Sequence, residues 1–200
     1  MTINQEWVTT ENDPSASPPA EPSKGWHLAG TPEEARLASF EFSLEHLAQA
    51  YYRWKAACLD AVSDAPLSGE DVAVLNIIRM RDEPKRLSEI GRLLNRTDVA
   101  NLQYALRKLA KAGLIESAGS TSRKDTRYRV TEAGHRATSA YARVRADVLL
   151  PLMEVLGKKL EDLAKTERSL DLLASLYGQA AHLAAAGRRV RERASEPAEL

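Results

Sequence analysis

Residues 85–134 constrain this chain more than any other stretch: KRLSEIGRLLNRTDVANLQYALRKLAKAGLIESAGSTSRKDTRYRVTEAG. The apolar run Leu87, Ile90, Leu93 and Leu94 has room for about two helical turns. Asn95-Arg96 breaks the period, and Thr97 is placed to cap a second helix through its hydroxyl. In that helix Val99, Leu102, Leu106 and Leu109 recur at i, i+3, i+7 and i+10, which predicts one buried stripe. The opposite side carries Thr97, Ala100, Asn101, Tyr104, Arg107, Lys108 and Lys111, with Gln103 on the flank. Gly113 supplies the stop. Leu114-Ile115-Glu116 and Arg127-Tyr128-Arg129-Val130 then read as two short strands around a polar tip, a hairpin with a long loop.

Helix, tight turn, helix and a two-stranded ribbon with a basic tip make a winged helix-turn-helix, and the fold class is mainly α. Residues 96–131 hold eight basic side chains against three acidic ones, whereas the whole chain balances 28 against 28. A basic face on an otherwise acidic body suits phosphate binding. The second helix has the width and chemistry to enter a major groove. Asn101, Gln103 and Tyr104 are assigned to base edges; Thr97, Arg107 and Lys108 to phosphates; Arg123, Lys124 and Arg127 to the wing.

On either side lie longer helical patterns. Residues 1–31 contain Pro14, Pro18, Pro19 and Pro22 and few aliphatics, which predicts a disordered tail with Trp7 and Trp26 as its large apolar exceptions. Thr31-Pro32-Glu33-Glu34 is a helix start. Leu37, Phe40, Leu44, Leu47, Tyr51, Trp54, Cys58 and Ala61 then keep a seam over about 30 residues, near 45 Å, long enough to expect a partner helix. Ser68 with Asp71 opens another helix, whose stripe is Val72, Leu75, Ile78 and Met80 and whose stop is Pro84.

Beyond the ribbon, a helix to about Gly157 should bury Tyr141, Val144, Val148, Leu152, Val155 and Leu156 and kink before Pro151. A last helix from about Thr166 should stop near Gly187, leaving residues 188–200 as a flexible tail.

Nothing in the chain approaches the roughly 18 apolar residues of a membrane span, and the start has no secretory pattern. A single cysteine fits a reducing cytoplasm. Cys58 near Lys55 could be a thiol sensor, but a small apolar residue on the helix seam explains it more simply. His27, His46, His135 and His182 have no metal-ligand spacing, no phosphate loop or nucleophile elbow is present, and no cofactor is implied. The chain is not expected to be an enzyme.

The chain resembles the MarR family of bacterial transcription regulators over roughly residues 33–187. Leu109-Ala110-Lys111-Ala112-Gly113-Leu114-Ile115 is similar to that family's exit from the recognition helix, and Val130-Thr131-Glu132-Ala133-Gly134 to the motif after its wing. The resemblance implies a MarR-like domain at 32–187: a winged helix-turn-helix at 67–134 and dimerisation helices at 33–64 and 135–187. It implies a homodimer with the recognition helix in the major groove and the wing in the minor, and a ligand pocket between the dimer helices and the DNA-binding lobe.

The family's wing Asp-Arg pair falls on Ser122-Arg123, so the acid is missing, with Asp125 three residues on. A pocket is sought where Tyr51, Trp54 and Cys58 approach Val72 and Leu75, residues that core packing explains equally well. The expectation is a cytoplasmic, sequence-specific double-stranded DNA-binding repressor that binds a pseudo-palindromic operator and is released by a small-molecule effector. The alternative is a winged-helix module that binds another protein.

Overall fold

The computed structural model describes residues 27–118, 126–155 and 160–195. The predicted tail with Trp7 and Trp26, the wing tip with Ser122, Arg123, Lys124 and Asp125, and Leu156 lie outside the described residues. The helices and strands among the described residues follow in order: α1 (Pro32–Asp60), α2 (Gly69–Arg79), β1 (Lys85–Arg86), α3 (Leu87–Leu93), α4 (Val99–Lys111), β2 (Ile115–Ala118), β3 (Arg127–Val130), α5 (Glu132–Val155) and α6 (Leu160–Ser195), with a 3-10 turn at Met80–Asp82 after α2. They fall into two compact units divided between Tyr141 and Ala142.

The first unit is built around α2. Its N-terminus closes with a reciprocal cap: the Asp71 N–H donates to Ser68 Oγ at 3.3 Å, and the Ser68 N–H donates to Asp71 Oδ2 at 2.9 Å. Aspartate therefore serves where the usual box has glutamate. Thr31 and Glu34 close α1 in the same way.

Along α2, Val72, Ala73, Val74, Leu75 and Ile78 are all buried, so the helix is covered on more sides than the predicted stripe. It packs against α1, α3, α4 and β3. Gly69 makes the α1 approach possible, because a Cβ there would overlap the backbone carbonyl of Tyr52.

The end of α2 differs from the sequence expectation. It stops at Arg79, before Pro84 acts, and Met80 is only half-buried. Arg81 and Asp82 then adopt positive φ values of 63° and 55°. The physical cause lies at Lys85, a 2% exposed lysine whose ammonium donates to the carbonyls of Met80, Glu83 (2.9 Å) and Ile78 (3.4 Å). The chain wraps this charge, satisfying carbonyls that the helix end leaves open. Lys85-Arg86 also pairs with β3 as a strand absent from the sequence reading. The sheet is three-stranded and antiparallel, in the order β1-β3-β2, with Lys85 opposite Tyr128 and Ile115 opposite Val130.

The two family-like motifs turn out to be one joint. Gly113 (φ 69°) ends α4 with its N–H on Ala110 O at 2.9 Å, while the Leu114 N–H reaches Leu109 O at 3.0 Å. This is a Schellman pair with its Leu109 and Leu114 side chains buried. The Thr131 hydroxyl donates to Gly113 O at 2.6 Å and accepts from the Gly134 N–H at 3.0 Å, and the Thr131 N–H bonds Leu114 O. Gly134 lies so close to Leu114 that a Cβ would overlap its carbonyl oxygen.

The seam predicted on α1 is largely uncovered. Leu37, Phe40, Leu47 and Tyr51 are exposed, Leu44 and Trp54 are half-buried, and burial is confined to Ala38, Lys55, Cys58 and Leu59. In α5, Tyr141 is buried in the first unit as expected, and Val144 is half-buried. Val148, Leu152 and Val155 are exposed. The helix continues through Pro151.

Within the second unit α6 spans 36 residues, starting before Thr166 and passing Gly187. Ala184-Ala185-Ala186 and Arg188 flank that glycine, and their helix propensity offsets its cost of about 1 kcal/mol. Leu170, Leu172, Leu176 and Leu183 are exposed along it.

Gly134→Ala should destabilise the first unit by about 2–3 kcal/mol, because the added methyl must displace backbone. Gly113→Ala, where only φ is strained, should cost about 1 kcal/mol. Urea denaturation ranks the two, and equal midpoints would show that the joint yields.

Candidate nucleic-acid interface

Helix α4 is strongly two-faced. Leu102, Ala105, Leu106 and Leu109 are buried, while Ala100, Tyr104, Arg107 and Lys111 occupy the opposite side and are exposed. Val99 is not part of the buried stripe: it is 53% exposed. The helix starts at Val99 with Asp98 rather than Thr97 as N-cap, and no side chain caps it. Thr97 is exposed.

Asp98 is occupied elsewhere. Its carboxylate receives Arg96 Nε at 2.9 Å and a second Arg96 nitrogen, and Arg96 also reaches Glu70 of α2 at 3.3 Å. The Arg96 hydrogen bonds, assisted by one from Asn101, hold the Asp98 carboxyl well below the usual carboxylate range. The same bond to Asp98 raises the Arg96 guanidinium above its ordinary value. The turn entering α4 is thus tied to α2 by an arginine that sequence reading left without a role. The Arg-x-Asp spacing is visible in the sequence; the reach to Glu70 is not.

Lys108 is the other tie. Its ammonium bonds the Asp71 carboxylate, whose side chain is only 6% exposed, across 37 positions of sequence. Expected as a phosphate contact, Lys108 is instead half-buried and paired. Arg107 and Lys111 have no carboxylate partner among the described residues. Arg107 lies over the exposed Tyr104 ring with 5.8 Å between guanidinium carbon and centroid. Asn101 is exposed on one flank of α4.

Gln103, on the other flank, is half-buried and lines a cleft of about 720 Å³ with Leu106, Arg107 and Ala110. Leu87 and Ser88 of α3, Tyr128 of β3 and Thr126 just before that strand complete its wall. Strand alternation sets Arg127 and Arg129 against Tyr128 and Val130. Arg127 is exposed and donates to Pro84 O at 3.3 Å, while Arg129 pairs with Glu116 at 2.7 Å. Arg127 is therefore not among the residues lining the cleft beside α4. The remaining wing residues assigned from sequence, Arg123 and Lys124, lie outside the described residues.

The five residues named for a ligand pocket differ in their surroundings. Cys58, Val72 and Leu75 are at most 1% exposed, Tyr51 faces outward and Trp54 is half-buried. None of the five lines the cleft beside α4. Lys55, near Cys58 in sequence, places its ammonium 4.3 Å from the Tyr51 ring centroid.

Residues 67–134 match the family model of a winged helix DNA-binding domain. Solved structures share the fold at low identity. A MarR variant from E. coli complexed with operator DNA superposes with a TM-score of 0.56 at 17% identity, over 69% of this chain and 95% of that one. Reduced AbfR bound to DNA gives 0.56 at 20%, over 72% and 96%. The M. tuberculosis transcriptional regulator MosR in complex with DNA gives 0.52 at 16%, over 72% and 96%. No protein of curated function matches the sequence.

Two measurements test these ties. Asp71→Asn with Lys108→Met in a double-mutant cycle should give a coupling of about 1–2 kcal/mol, reduced from a fully buried pair because Lys108 is partly wet. For Asp98, depression by Arg96 means the stabilisation is full above the unfolded value of about 3.9 and is lost only as pH falls through the lower folded one. A carboxyl NMR titration should show Asp98 unchanged from pH 8 to 5, and Arg96→Ala should return its midpoint towards the ordinary value.

Proposed function

We propose that this chain, which has the fold of the MarR regulators and a winged helix DNA-binding domain at residues 67–134, is a DNA-binding transcriptional regulator. The observation that carries the reading is the outer face of α4. It presents Arg107 and Lys111, without carboxylate partners among the described residues, beside Ala100, Gln103 and Tyr104, and its other face is locked into the core. A duplex supplies what such a face lacks: phosphates for the cations and base edges for the amide. Gln103 and Asn101 read bases in this proposal, Thr97 and Arg107 meet phosphates, and Arg123 and Lys124 extend contact from the wing. Lys108 contributes mainly by holding the helix.

The chain acts as a homodimer in this reading. Support comes from the exposed Leu37, Phe40, Leu47 and Tyr51 on α1, and separately from the exposed leucines of α6. Isolated helices gain most of their stability from a packed face, and these faces have none within their own units. Helices at 33–64 and 135–187 then join the two chains, and two copies of α4 meet half-sites about 10 base pairs apart. Occupying such a site blocks transcription, so the regulator is proposed as a repressor. No helix among the described residues is long and apolar enough to cross a membrane.

Binding to genomic fragments should weaken with salt, with a log-log slope of about −7 if each protomer neutralises four phosphates. Arg107→Ala should flatten that slope by about 2 per dimer and weaken specific and random duplexes alike. Gln103→Ala should instead lose about 1–3 kcal/mol of preference at particular base pairs. A slope near zero, or monomer mass by light scattering at working concentration, would refute the corresponding half of the proposal.

A further inference from the structure

Val99 occupies a position that stability does not explain. Its spacing places it with Leu102, Leu106 and Leu109, yet it is 53% exposed at the first residue of α4. Valine is also a weaker helix former than most residues, and as a β-branched residue it loses side-chain freedom there. Its surroundings are fixed rather than loose. The Val99 N–H bonds Thr97 O at 3.0 Å, and the turn before it is clamped by Arg96 to Asp98 and Glu70. Exposed Ala100 adjoins it, Gln103 follows one turn along, and Arg107 and Lys111 supply positive charge on the same outer side. The result is a small, rigid apolar spot at the leading end of a cationic helix.

Resting on the DNA-binding reading above, we propose that Val99 is a specificity-determining residue that packs against the 5-methyl group of a thymine in the major groove. The leading residues of a recognition helix are the ones that reach base edges. In the major groove the thymine methyl is the apolar feature of those edges, and an apolar side chain is its natural partner. Gln103 lies one turn, about 6 Å, along the helix, close to two base steps of 3.4 Å. Its amide pairs two-pronged with adenine, so Val99 and Gln103 together read A·T pairs about two positions apart.

The test uses the full chain and duplexes selected from a random library. Thymine is then replaced by uracil, one position at a time, removing only the methyl group. The native protein should lose on the order of threefold to tenfold in affinity at one position per half-site, and not at its neighbours. Val99→Ser, a change at an exposed first-turn residue, should bind the thymine duplex that much more weakly and be indifferent to uracil there. Circular dichroism and light scattering on the variant establish that fold and assembly are intact.

If the native protein selects a sequence but no single uracil position distinguishes it from Val99→Ser, the assignment of Val99 is overturned and the DNA-binding reading stands. If the native protein binds no duplex, both fall. A fall in assembly mass with Val99→Ser would place the valine at a protein contact and overturn the assignment too.

Discussion

A buried carboxylate at the start of α2 holds the first unit in register. Asp71 Oδ2 takes the Ser68 N–H, the Ser68 hydroxyl and the Lys108 ammonium. One group therefore caps a helix and fixes the orientation of another. Burying a carboxylate is costly unless hydrogen bonds replace its water, and three donors do so here. The opposite end of α2 repeats the device with the charge reversed, since the Lys85 ammonium collects backbone carbonyls. Between these ends Val72, Val74, Leu75 and Ile78 are at most 1% exposed, each contributing roughly 1.5–3 kcal/mol of burial. Helix α4 is thereby mounted on an element buried along most of its length.

That mounting divides the basic residues into two populations. Arg96, Lys108, Lys85 and Arg129 are spent on intramolecular partners. Arg107 and Lys111 have no such partner among the described residues. A sum of charges along the sequence treats all six alike, and so overstates the cations available for a polyanion. It also hides how the acidic Asp98 is made compatible with one: its charge is drawn off by Arg96 at the entrance to α4.

The long helices pose the opposite physical situation. In α1 and α6 many of the apolar side chains are uncovered, and α6 carries leucines at 42% to 74% exposure. Between its two ends a helix makes its own backbone hydrogen bonds, whereas burial requires a second surface. A 36-residue helix with exposed leucines is a surface awaiting one.

What could be read from the sequence alone was whatever is decided within a few residues. The Thr31 and Ser68 caps, the Gly113 stop, the break at Asn95 and the strands of the ribbon depend on local hydrogen bonds and φ preferences, which residue types announce. What tertiary structure alone decided lies farther apart along the chain. Asp71 meets Lys108, Lys85 binds carbonyls at the end of α2, β1 pairs with β3, and Gly134 abuts Leu114. Val99 leaves the stripe that its spacing predicts because the first residue of α4 extends past the core that the later turns cover. Periodicity specifies the angle of a side chain around a helix; it does not specify where along that helix the neighbouring surface begins.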